Sequence, residues 1–152
     1  MEIMPDKAQV FQQCVQVLEA RIRHIQEERA QVQASANNET KSSVGDKYET
    51  GRAMAQLEIE RITRQLAETE ELLNRLLELK EVSPQGRVIS GSLIHTSQGY
   101  FYIAVSLGMV ECDGHRVFCL SPEAPLGKEL LGKGVGDQAQ LNGRSFGILS
   151  IL

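Results

Sequence analysis

The chain has 152 residues, of which 24% are charged and 41% hydrophobic, and a formal net charge of -4. That composition suits one ordinary soluble domain or two small ones, and the negative balance excludes a strong general attraction to duplex DNA or an anionic membrane. No apolar run is long enough to span a bilayer and the start lacks a signal-peptide pattern, so the expected setting is cytoplasmic, with no membrane partner. Cys14, Cys112 and Cys119 are an odd set without framework spacing, expected to be reduced and packed. Cys112 and Cys119 could meet across a hairpin, but no functional disulfide is expected.

Composition changes near Val82-Ser83-Pro84-Gln85-Gly86. Eleven of the 13 glycines and three of the four prolines follow residue 83. Residues 1–82 hold 11 basic and 15 acidic residues, whereas residues 83–152 hold five of each, so all the net charge lies in the first half. The expected domains are therefore 1–82 and 83–152.

The first half predicts two helices. Phe11, Val15, Leu18, Ile22, Ile25, Arg29 and Val32 alternate spacings of four and three, as do Ala55, Ile59, Ile62, Leu66, Thr69, Leu73 and Leu76. Each set reads as a coiled-coil seam with one polar intrusion. A glycine-bearing turn separates them, so the expectation is an antiparallel coiled-coil hairpin with its turn within 37–50. Arms of roughly 30 residues would each run about 45 Å.

The second half predicts a small antiparallel β-sheet with one short helix, making the chain α+β. Strands are expected over 88–96, 100–107, 109–112 and 116–120, with Asp113-Gly114 turning between the last two. A short helix follows over 126–131, ending at Gly132. The glycine-rich run Gly132 to Gly136 lacks phosphate-loop spacing and reads as a turn into the last hairpin. That hairpin runs from Ala139 to Leu141 and from Ser145 to Leu152, around an Asn142-Gly143 turn.

The turn between the helices, Ser42-Ser43-Val44-Gly45-Asp46-Lys47-Tyr48-Glu49-Thr50, has two readings. Ser43 or Asp46 suits a helix N-cap, and carboxylates are favoured near a helix start. Alternatively, Asp46 and Glu49, three residues apart, would share a helix face at the end of a projecting hairpin. Two carboxylates are a partial donor set for Mg²⁺, which takes oxygen ligands and keeps water.

Gly45-Asp46-Lys47-Tyr48-Glu49-Thr50 resembles the G-D-x-x-E-N tip motif of the bacterial Gre transcript-cleavage factors. Ala124-Pro125-Leu126-Gly127-Lys128-Glu129-Leu130-Leu131-Gly132-Lys133, followed by Gly136-Asp137, resembles the second-domain motif of the same family. The resemblance spans nearly the whole chain. It implies an FKBP-like second domain that docks on RNA polymerase through Pro125, Leu126, Gly127 and Lys128. It also implies a coiled coil that enters the polymerase secondary channel. Asp46 and Glu49 would then help hold a Mg²⁺ shared with the polymerase active centre, with no cofactor bound by the chain alone. Lys41, Lys47 and Arg52 would lie near the 3′ end of the nascent RNA. The protein would be a monomer and not itself an enzyme; it would complete one. The chain departs from the family at Thr50, where Asn is usual, and at Gly51-Arg52-Ala53, where Ala-Glu-Tyr is usual. Two alternatives stay open: a regulator that occupies the channel without stimulating cleavage, and a coiled-coil scaffold unrelated to polymerase. Cys112-x-x-His115 lacks the second ligand pair of a zinc site. Five aromatic residues in the second half are too few for both a core and a prolyl-isomerase pocket.

Overall fold

A computed structural model describes residues 3–39 and 46–152. Helix α1 spans Lys7–Glu39 and α2 spans Asp46–Leu77. Six strands follow, β1 Leu93–Thr96, β2 Gly99–Ile103, β3 Gly108–Cys112, β4 His115–Leu120, β5 Gln138–Leu141 and β6 Arg144–Ile151, with a short α3 at Pro125–Leu130 between β4 and β5. The fold is α+β. The chain divides into two compact units, one of Met1–Gln16 with Asn74–Leu152 and the other of Val17–Leu73.

Asp6 starts α1 by accepting the backbone N–H of Ala8 on its carboxylate, at 3.0 Å. An N-cap of this kind satisfies a donor that the first helical turn leaves unpaired. All fourteen seam positions are buried or half-buried, and Leu18, Ile62 and Leu76 are fully inaccessible. In the Val17–Leu73 unit, Ile25, Ile62 and Leu66 form a core with Ile22 and Val32 against it. Arg61 of α2 reaches Glu28 of α1 at 3.2 Å and Glu58 of its own helix at 2.6 Å. The polar intrusion at Thr69 is settled locally, since its hydroxyl donates to the Gln65 carbonyl one turn back, at 2.8 Å.

The sheet has strand order β3-β4-β2-β1-β6-β5. It is mixed, which corrects the expectation of an antiparallel sheet. β2 and β4 pair in parallel, Tyr102 opposite Cys119 and Phe101 opposite Phe118. After β2 the chain skips one position, lays β3 at the edge and returns as β4 into the gap. That reversal gives β4 the direction of β2. The first strand is also shorter than expected. Gly91 turns at φ 94°, and Ser92 Oγ accepts the Ile89 N–H, so only Leu93–Thr96 pairs as strand. Both predicted tight turns are present, Asp113-Gly114 at φ 50° and 78° and Asn142-Gly143 at φ 50° and 77°. Two consecutive positive φ values give the turn whose twist matches flanking antiparallel strands. The glycine-rich run also turns the chain. Gly132 and Gly136 have positive φ, and the Asp137 carboxylate accepts the Gly134 N–H at 2.8 Å.

One sheet face buries Ile94, Phe101, Ile103, Leu120, Phe146 and Ile148 beneath Leu130 of α3. Full burial of such side chains contributes about 1.5–3 kcal/mol each. By strand alternation the other face presents Leu93, Tyr100, Tyr102, Val117 and Cys119, all buried. The first turns of α1 cover part of it, where Cys14 meets Cys119 with sulfurs 3.4 Å apart. Lys7 anchors the same turn, its ammonium donating to the carbonyls of Val82 at 2.8 Å and Leu152 at 3.1 Å. Burial pulls the Lys7 pKa below its ordinary value.

Candidate functional site

The loop motif falls at the start of α2. Asp46 is the first helical residue and Glu49 the fourth, so both belong to the first turn. Glu49 is exposed. The side chains of Asp46 and Lys47, and the whole of Lys41, lie outside the described residues. Arg52, exposed in the second turn of the helix, lines a cavity of about 290 Å³ with Gln33, Asn37 and Gln56. Glu49 thus presents one exposed carboxylate in the first turn of α2. Among the described residues no three His, Cys, Asp or Glu side chains form a metal cluster.

Next along α2, the Glu58–Arg61 pair sets the local charge. The hydrogen bond from Arg61 lowers the Glu58 pKa, and the same bond raises that of Arg61. Both side chains are largely solvated, so the pair orients charge more than it stabilises the helix.

The second motif forms α3, with Pro125 at its start, where a missing N–H costs nothing. Its four expected docking residues divide by exposure. Pro125 and Lys128 face solvent, whereas Leu126 packs on the sheet core and Gly127 is buried. A side chain at Gly127 would collide with the carbonyl oxygen of Ser121. Half of that motif thus holds the helix against the sheet, and half is presented outward.

A cluster that the sequence did not reveal lies on the sheet face opposite α3. Cys14 and Cys119, 105 positions apart, touch through their thiols. Their hydrogen bond, with burial, holds the Cys119 thiol well above its usual range. The same bond lowers the pKa of Cys14, making it the first of the two to ionise. Tyr102, beside Cys119 across the β2–β4 pair, is fully buried, and its hydroxyl finds no hydrogen-bond partner among the described residues. Burial raises its pKa. Cys112 and Cys119 do not meet across the β3–β4 hairpin. Cys112 sits opposite His115 and Cys119 opposite Gly108, so the two lie at opposite ends of that strand pair. All three cysteines are free and buried, as composition implied. The histidines also gather more than their spacing suggested, since His95 stacks on Tyr100 at 4.5 Å and His115 meets the same ring edge-on at 5.4 Å.

Among the described residues no helix is long and apolar enough to cross a membrane. No protein-family profile and no curated protein sequence matches the chain. Among solved structures, the chain is similar to GreA factor homolog 1 (Gfh1) of Thermus thermophilus, at 20% identity over 91% of this chain and 94% of that one, with a TM-score of 0.34.

Proposed function

We propose that this protein is a Gre-like RNA polymerase secondary-channel factor. In this reading α1 and α2 form an antiparallel coiled-coil hairpin that enters the channel, and an FKBP-like sheet domain docks at the channel mouth. The observation that supports it best is the placement of two motifs on the elements where the resemblance requires them. Residues 46–50 open α2, and residues 125–130 are α3. Pro125 and Lys128 are the exposed half of the docking motif.

Glu49 and Asp46 would contribute carboxylates to a Mg²⁺ otherwise held by the polymerase, while Arg52, Lys41 and Lys47 lie close enough in sequence to meet the RNA phosphates. A second metal of this kind activates water and stabilises the leaving oxygen in phosphodiester cleavage. The protein supplies donors and position; the polymerase supplies the catalytic centre. Thr50 and Gly51, where the family has Asn and Ala, favour one second reading. In that reading the hairpin occupies the channel and regulates transcription without cleavage.

The test is RNA shortening in a stalled, backtracked elongation complex from the source organism. We expect shortening with the wild type and none with Asp46→Ala/Glu49→Ala. Binding that competes with a standard Gre factor, without shortening by the wild type, would select the channel-occupying reading. No binding to polymerase would overturn both.

A further inference from the structure

We propose that Cys14 and Cys119 form a reversible disulfide under hydroperoxide, fastening the first turns of α1 to β4. Their sulfurs are already in contact at 3.4 Å, although the residues are 105 positions apart. Chance packing of two free cysteines needs no such alignment, and Cys112, the third buried cysteine, does not share it. A disulfide requires a sulfur separation near 2 Å, so closure brings the two sulfurs nearer by a little over 1 Å.

A cavity of about 420 Å³ is lined by Lys7, Ala8, Phe11, Val82 and Tyr102. Phe11 lies one helical turn before Cys14, and Tyr102 is the strand neighbour of Cys119. Neither thiol lines that cavity, so hydrogen peroxide reaches the pair only when Phe11 or Tyr102 moves aside. Both sulfurs are buried.

The chemistry balances within the pair and the peroxide. The Cys14 thiolate attacks one peroxide oxygen and the O–O bond breaks. Cys14 becomes a sulfenic acid, and the departing hydroxide takes the original thiol proton to give water. The Cys119 sulfur then attacks the Cys14 sulfur and displaces hydroxide, which takes the Cys119 proton as a second water. The two thiols lose two electrons and the peroxide gains them. Cys14 acts first because its hydrogen bond from Cys119 favours its thiolate.

The test is a hydrogen peroxide titration of the intact wild-type chain. Thiols are counted after denaturation, and the peptides are mapped without reduction. We expect two of three thiols to disappear together, a single Cys14–Cys119 cross-linked peptide, and full recovery with a reductant. Cys112→Ser should cross-link identically. Because the closed loop is long, the thermal midpoint should rise by roughly 10 °C on oxidation. In Cys119→Ala no intrachain cross-link through Cys14 should form. Retention of all three thiols would overturn the proposal. So would cross-links through Cys112 or between chains, or oxidation of Cys14 beyond sulfenic acid in the wild type without a cross-link. None of these readouts depends on polymerase binding.

Discussion

Gly127 lies so close to Ser121 that a Cβ added there would collide with the Ser121 carbonyl oxygen. The contact lets α3 sit down on the sheet and brings Leu130 into the core with Phe101 and Ile148. Gly127→Ala should therefore lower unfolding free energy by about 1–3 kcal/mol, as overpacking against backbone does. Urea denaturation checks it. Lys128→Ala, one residue on and exposed, should change stability by less than about 0.5 kcal/mol. If Lys128→Ala weakens polymerase binding while stability holds, the docking role separates from the structural one.

Ile62 is fully inaccessible at the centre of the Val17–Leu73 core, and Leu57 on the same helix is 66% exposed. Ile62→Ala should cost about 2–5 kcal/mol through lost burial and a residual cavity. Leu57→Ala should stay within about 0.5 kcal/mol. Thermal melts followed by helical circular dichroism distinguish the two.

Tyr102 keeps a buried hydroxyl without a hydrogen-bond partner among the described residues. An unpaired buried polar atom is a net cost, so Tyr102→Phe should be neutral or stabilising by about 1 kcal/mol. The variant also isolates a pH effect. The folded pKa of Tyr102 lies above its ordinary value of about 10, so the folded state holds the phenol proton where the unfolded chain releases it. This contribution is fully present below pH 10 and is lost as pH rises through the folded pKa. Stability of the wild type should fall faster than that of Tyr102→Phe above about pH 10. Urea melts at neutral and alkaline pH measure the difference.

The seam residues are covered within one chain, since all fourteen are buried or half-buried without a second copy. Light scattering should accordingly report a single-chain mass across a wide concentration range. A dimer that dissociates on dilution would favour the scaffold alternative.

Periodicity determined the helices, because an apolar stripe at spacings of three and four can be buried only by helical geometry. Seam positions from Phe11 to Leu76 were legible for that reason, as were the Asp113-Gly114 and Asn142-Gly143 turns, where local backbone demands select the residues. The candidate motifs were legible as contiguous runs, and Glu49 is indeed exposed at a helix start. Other features belong to the tertiary structure alone. The parallel β2–β4 pairing depends on which gap the chain fills after skipping a position, and strand composition does not encode that choice. The division of residues 125–128 into buried and exposed halves depends on where α3 meets Ser121 and the sheet. The meeting of Cys14 with Cys119 joins positions 105 apart, and only the docking of α1 on the sheet brings them into contact. Local pattern specifies which face of an element turns inward; only long-range packing decides what that face meets.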